Sequence, residues 1–189
     1  MNQLVNKFKD ILSYLNEPFM DDHAGDKRIC YLTFPIENTL AVKKQMGTFR
    51  SMLNHYNYDY HELSLGNLIH KFLLNNKRRD NWKSFEKAEY AFAMTEFYNS
   101  LGNTVKTVQV IENEILTTQA TLMSKNKPLL ILTDLEGIHP FTRFGPIEQS
   151  IYNQIEIPML VFYPGNIIGN SLQFLGFYPQ DGNYRSKHF

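Results

Sequence analysis

Two uninterrupted apolar runs of strand length, Pro128-Leu-Leu-Ile-Leu-Thr133 and Ile157 to Tyr163, constrain this chain more than any other feature. A strand with one wet face alternates apolar and polar residues. These two do not alternate, so both of their faces must be covered, as in a parallel sheet with helices on either side. Between them, Pro146 to Ile155 is long enough for a short helix, with Pro146 at a permitted first-turn position. The three segments form a strand–helix–strand unit, the usual way to join parallel strands. The expected fold class is α/β: a mostly parallel central sheet flanked by helices.

The remainder of the chain fits that expectation. Leu4, Phe8, Ile11, Leu12 and Leu15 repeat at helical spacing and Pro18 ends the run. Asp21 to Lys27 reads as a loop, and Arg28 to Phe34 as a buried strand closed by Pro35. Val42, Met46, Phe49 and Leu53 mark a second amphipathic helix, and Tyr58 to Leu63 a short second strand. A helical stretch follows, inserted over about residues 64–126. It holds a helix through Leu65 to Leu73, a basic turn from Asn76 to Lys83, and a helix from Phe85 to Tyr98. After punctuation at Gly102 and Asn103, a longer helix runs from Val105 to Met123, with Val108 facing inward. Ser171 to Tyr178 predicts one more strand, and Pro164-Gly165 a sharp turn at a strand end. No internal repeat or composition break divides the chain, so residues 1–189 read as one domain.

Composition narrows the function classes. Lys+Arg and Asp+Glu both number 19, which leaves no long-range field to draw nucleic acid or anionic membrane. The one cysteine, Cys30, rules out an internal disulfide and sits in the apolar run Ile29-Cys30-Tyr31-Leu32, where it reads as a small buried hydrophobe. Met1 to Asp10 lacks the pattern of a signal peptide, and no apolar run reaches the ~20 residues that span a bilayer. The expected location is the cytoplasm. The basic turn Lys77-Arg78-Arg79, with Trp82 nearby, has the residue types that touch a nucleic-acid backbone. A solvated turn with Trp82 partly in the core is the preferred reading for a chain of zero net charge.

The sharpest chemical feature is Leu129-Leu-Ile-Leu-Thr-Asp134-Leu-Glu136, followed by Gly137-Ile-His139-Pro140. An apolar strand ending in an acid resembles the strand of nucleotide hydrolases whose Asp orients magnesium. The phosphate cradle that such chemistry requires, G-x-x-x-x-G-K-[ST], is missing. The first strand leads instead into Pro35-Ile36-Glu37-Asn38, which has no glycine or lysine and whose acid would repel phosphate. The expectation is at most a degenerate P-loop-like fold that keeps the sheet without its phosphate-binding loop. Asp134, Glu136 and His139 also have the donor types of a divalent-metal site in a hydrolase or nuclease. Against that stand the missing partner cluster and a simpler role, in which both acids cap the next turn or face solvent. No G-x-S-x-G elbow occurs. No catalytic residue, metal or cofactor is assigned. Phe141 and Phe144, beside Arg143, are candidate interface anchors.

Three stretches in order, Asp134-Leu-Glu-Gly-Ile-His139-Pro-Phe-Thr-Arg143, Val161-Phe-Tyr163-Pro164-Gly165, and Phe174-Leu-Gly176 leading to Asp181-Gly-Asn183-Tyr184-Arg185, resemble the BrxB family of bacteriophage-exclusion (BREX) systems. The specific motifs lie in the last third of the chain; the first half matches in layout alone. The resemblance implies an accessory component of a multi-gene antiviral system, without established enzymatic activity. It also implies association with a PglZ-type subunit of the alkaline-phosphatase superfamily and with other BREX proteins. Two roles stay open for the carboxyl-terminal motif. Arg185 can fold back to pair with Asp134 or Glu136, or Asn183, Tyr184 and Arg185 can face a partner.

Overall fold

A computed structural model describes residues 2–17, 28–86, 91–169, 171–181 and 186–189. The elements in order are α1 (Asn2–Leu15), β1 (Ile29–Phe34), α2 (Thr39–His55), β2 (Asp59–Ser64), α3 (Leu65–Asn75), α4 (Arg79–Glu86), α5 (Ala91–Val108), α6 (Val110–Leu122), β3 (Pro128–Thr133), α7 (Phe144–Ile151), β4 (Met159–Ile168), β5 (Ser171–Phe174), β6 (Gln180–Asp181) and β7 (Lys187–His188). The central sheet runs β2-β3-β4-β1-β7, and every neighbouring pair along it is parallel. The fold is α/β with a mostly parallel sheet, as expected.

The apolar runs are continuous because alternate residues of each strand feed two different cores. Cys30, Leu32, Phe34, Leu129, Ile131, Leu160 and Phe162 pack under α1 and α2. Ile29, Tyr31, Leu130, Leu132, Met159, Val161 and Tyr163 pack under α3, α5, α6 and α7. Aromatic rings fill both layers: Phe49 meets Phe162 edge-on on one side, and Tyr31 meets Tyr163 and Phe144 on the other. Cys30 is fully buried, and burial pushes its thiol up to about 12, which removes it as a nucleophile. Among the described residues no helix is long and apolar enough to cross a membrane.

The structure corrects the sequence reading at six places. Pro164-Gly165 is no turn: β4 passes straight through both residues and changes partners there. It pairs in parallel with β1 as far as Phe34↔Pro164, then antiparallel with β5 from Gly165↔Phe174 onward. The ladder with β3 ends at Val161, so a missing N–H at Pro164 costs nothing on that side. A Cβ on Gly165 would lie 2.2 Å from Gln173 O, and that is why the backbones can approach only with glycine there. The last predicted strand is shorter, ending at Phe174, with Leu175 in the left-handed region at φ 54°. Gly102 and Asn103 do not interrupt the helical stretch but lie inside α5; the break falls at Gln109, which is left-handed at φ 50°. The end of the basic turn is helical, since α4 starts at Arg79, and Val108 points outward at 50% exposure. Phe144 is no surface anchor: it is fully buried at the start of α7. The predicted loop over Asp21 to Lys27 and the motif Asn183, Tyr184 and Arg185 lie outside the described residues.

Candidate functional site

In open α/β sheets, ligands bind beyond the carboxyl ends of the strands. Here that edge carries Phe34 of β1, Ser64 of β2, and Thr133 of β3 with Asp134 after it. A cavity of about 400 Å³ opens among them, walled by α2. Asp134 sits at φ 54°, ψ 40°, a left-handed backbone that Asp tolerates better than most residues. That twist starts the 3₁₀ turn Leu135–Ile138, whose Leu135 and Ile138 are buried and pin the loop to the core. The loop then lies against the first turn of α3. A Cβ on Gly137 would come within 2.4 Å of Gly66 Cα, so the two backbones touch directly.

Neither acid caps the turn; Asp134 makes no side-chain cap bond to it. Lys43 of α2 reaches across the crevice instead. Its Nζ lies 2.6 Å from Asp134 Oδ1 and 2.7 Å from Glu136 Oε1. Ser64 Oγ donates to Asp134 Oδ2 at 2.5 Å, while also accepting from Asn67 N as the N-cap of α3. Burial alone would raise the Asp134 carboxyl, but the bonds from Lys43 and Ser64 outweigh it and hold the group below its usual range. Burial likewise pulls Lys43 down, and its two carboxylate partners bring the net shift upward. A second ion pair lines the same cavity: Arg50 Nε and Nη2 bind Glu62 Oε1 and Oε2, both at 2.7 Å, in a two-pronged pairing.

His139 does not join the acids. It is exposed, its Nδ1 lies 2.7 Å from Tyr178 Oη, and its ring meets Phe177 and Tyr178 edge-on. Arg143 donates through Nη1 to Pro179 O at 3.3 Å, so both fasten the 139–143 loop to the chain after β5. Tyr163 is fully buried beneath the sheet. Of the sequence-predicted residues, then, the fold unites Asp134 and Glu136, and places His139 with Arg143 in a separate contact. Among the described residues no group of three His, Cys, Asp or Glu side chains is arranged to hold a metal ion. The cation between the two acids is an ammonium. Lys43, Ser64, Arg50 and Glu62 were missed by sequence reasoning. Lys43 lies in the helix after the first strand, and nothing in its own sequence surroundings marks it out from a solvated lysine.

The basic segment resolves differently. Trp82 is 5% exposed and its Nε1–H points to Ser100 Oγ at 3.4 Å, so the ring has no face free for a base.

Fold and site together define a class: a mostly parallel α/β domain with acids at a strand tip, sealed internally by a lysine from the helix that follows its first strand. The chain belongs to the BrxB family; the family model described as BREX protein BrxB matches residues 61–189. The matched segment runs from β2 to β7 and contains both acids, whereas Lys43 lies before it. No curated protein and no solved structure matches the chain.

Proposed function

We propose that this protein is a non-catalytic accessory subunit of a BREX-type anti-phage assembly, binding a PglZ-like partner through the loops at the carboxyl edge of its sheet. Family membership supports the system. One observation carries the role: the strand-tip acids, placed where such residues orient a metal ion, share Lys43 as an internal counter-charge. A lysine engaged with two carboxylates must leave them before it can grip phosphate, and Mg²⁺ must displace that lysine before it can use both acids. The crevice is thus a stiff surface, and stiff loop surfaces suit recognition. The same geometry supports descent from a nucleotide-binding fold. In active P-loop proteins a lysine after the first strand serves phosphate and the acid serves the metal. Here the lysine and the acid serve each other, and the turn before α2 is Pro35-Ile36-Glu37-Asn38.

Co-expression with the PglZ-like subunit of the same system, followed by size-exclusion chromatography, tests the reading. Co-elution is expected, and it should weaken when exposed His139 and Pro140 at the loop apex are changed to Ala. Separate elution under all conditions removes the proposal, as does hydrolysis of ATP by the purified chain that is lost in Asp134→Ala.

A further inference from the structure

The helices inserted between β2 and β3 carry a feature that the strand-edge site does not use. A groove of about 930 Å³ runs between α3, the α3–α4 turn and the outer face of α5. Its floor is aliphatic and aromatic: Leu68 and Phe72 from α3, Val108 and Val110 from either side of the Gln109 break. Val108 is half exposed and stands beside the other apolar residues of the floor, so the apolar surface here is a patch rather than a single side chain. The rim is basic, with Lys71, Lys77 and Arg78, all exposed. Among the described residues none that lines the groove is acidic, and none of these three cations is in an ion pair. The nearest acid in sequence, Asp80, lies in the first turn of α4, where it complements the helix dipole. More apolar side chains stand exposed on the same helices: Leu74, Phe85 and Tyr98. In a chain of zero net charge this is a local concentration of unpaired positive charge around an apolar trough.

We infer that this groove is a docking site for an acidic amphipathic helix of a partner protein. An apolar stripe would lie on Leu68, Phe72, Val108 and Val110, while flanking Asp and Glu side chains meet Lys71, Lys77 and Arg78. Charge complementarity selects the acidic partner, and the apolar side chains Leu68, Phe72, Val108 and Val110, set among Asn and Thr residues of the lining, select an amphipathic helix over a phosphate backbone. Trp82 of this segment is buried, but Phe72 in the floor and the exposed Phe85 and Tyr98 are rings on which a base could stack, so an oligonucleotide is one arm of the test. The inference goes beyond the strand-edge reading. The groove is lined by α3 from Leu68 to its carboxyl end and shares no lining residue with the strand-tip cavity, which takes Asn67 from that helix.

The test uses the full chain and a displayed library of random peptides long enough for four helical turns. Selected peptides are measured by fluorescence anisotropy against wild type, Lys77→Glu/Arg78→Glu and Val108→Asp. All three positions are exposed, so the variants should keep the wild-type circular dichroism and Tm. Enriched peptides should carry excess Asp and Glu with apolar residues at i, i+3, i+4 and i+7. They should lose roughly tenfold in affinity to either variant, and weaken with salt. Peptides without acidic excess, or indifferent to both variants, overturn the proposal. Binding of a single-stranded oligonucleotide that is lost in Lys77→Glu/Arg78→Glu also overturns it and assigns the groove to nucleic acid. Because neither arm uses the PglZ-like subunit, the result is independent of the strand-edge proposal.

Discussion

Lys43 pairs with two carboxylates, and its removal has a sign that can be worked out in advance. Lys43→Met leaves Asp134 and Glu136 facing each other without a counter-charge. Because the lysine side chain is 47% exposed, solvent screens the pair and the expected loss is about 1 kcal/mol, well below the 3–5 kcal/mol of a fully buried pair. Chemical denaturation measures it, and adding Asp134→Asn to Lys43→Met should recover part of the loss. Asn suits the left-handed backbone and relieves the repulsion. The pH dependence follows from the two shifts. Asp134 titrates below its unfolded value, so its contribution is present above the ordinary carboxylate range and fades as pH falls through the folded value. Lys43 titrates above its unfolded value, so its contribution is complete below the ordinary lysine range and fades as pH rises through the folded value. Wild type should therefore lose more stability than Lys43→Met in acid, and a parallel decline in both proteins would remove the pair from the account.

At the scale of elements, the contact between the Leu135–Ile138 turn and α3 gives a paired prediction. Gly137→Ala places a methyl 2.4 Å from Gly66 Cα, against backbone that cannot swing aside. It should cost toward the upper end of roughly 1–3 kcal/mol. Gly66→Ala meets Asp134 at 3.4 Å and Gly137 Cα at 3.6 Å, both ordinary contacts, and adds a better helix former, so thermal melting should show little change. Equal effects of the two would contradict this packing. Little of that contact was legible in sequence. The apolar runs at Pro128–Thr133 and Ile157–Tyr163 announced their strands because burial on two faces leaves no alternation to misread. Gly102 and Pro164-Gly165 misled for a shared reason: glycine and proline report backbone needs, and a helix crowded by Phe141 O or a strand changing partners has the same needs as a turn. The acids were visible because they end a strand. Lys43 was not, since a helical lysine looks alike whether it meets water or a carboxylate brought from ninety residues away by the fold.

For the molecule as a whole, the free side of β1 is closed by a short strand. Thr33 N–H donates to Phe189 O at 3.1 Å, Phe189 N–H to Tyr31 O at 2.9 Å, and the His188 ring stands edge-on to Tyr31. Burial, with a smaller contribution from Lys187, holds the His188 imidazole below its usual range. A histidine with a depressed folded value destabilises its docked state as pH drops below the unfolded value of about 6.5. Amide exchange at Thr33 should accordingly speed up between pH 7.5 and 5.5 (roughly one unit to either side of that value) once intrinsic rates are corrected, and His188→Phe should abolish the acceleration. Equal behaviour in both proteins would show that the edge is not governed by this ring.

β4 belongs to two layers of pairing along its length, first with β1 and then with β5. Among the described residues β4 runs without a break from mid-core, where Met159 to Tyr163 are buried, to the hairpin tip, where Ile167 and Ile168 are exposed. Whatever grasps that tip pulls on the deepest strand of the protein.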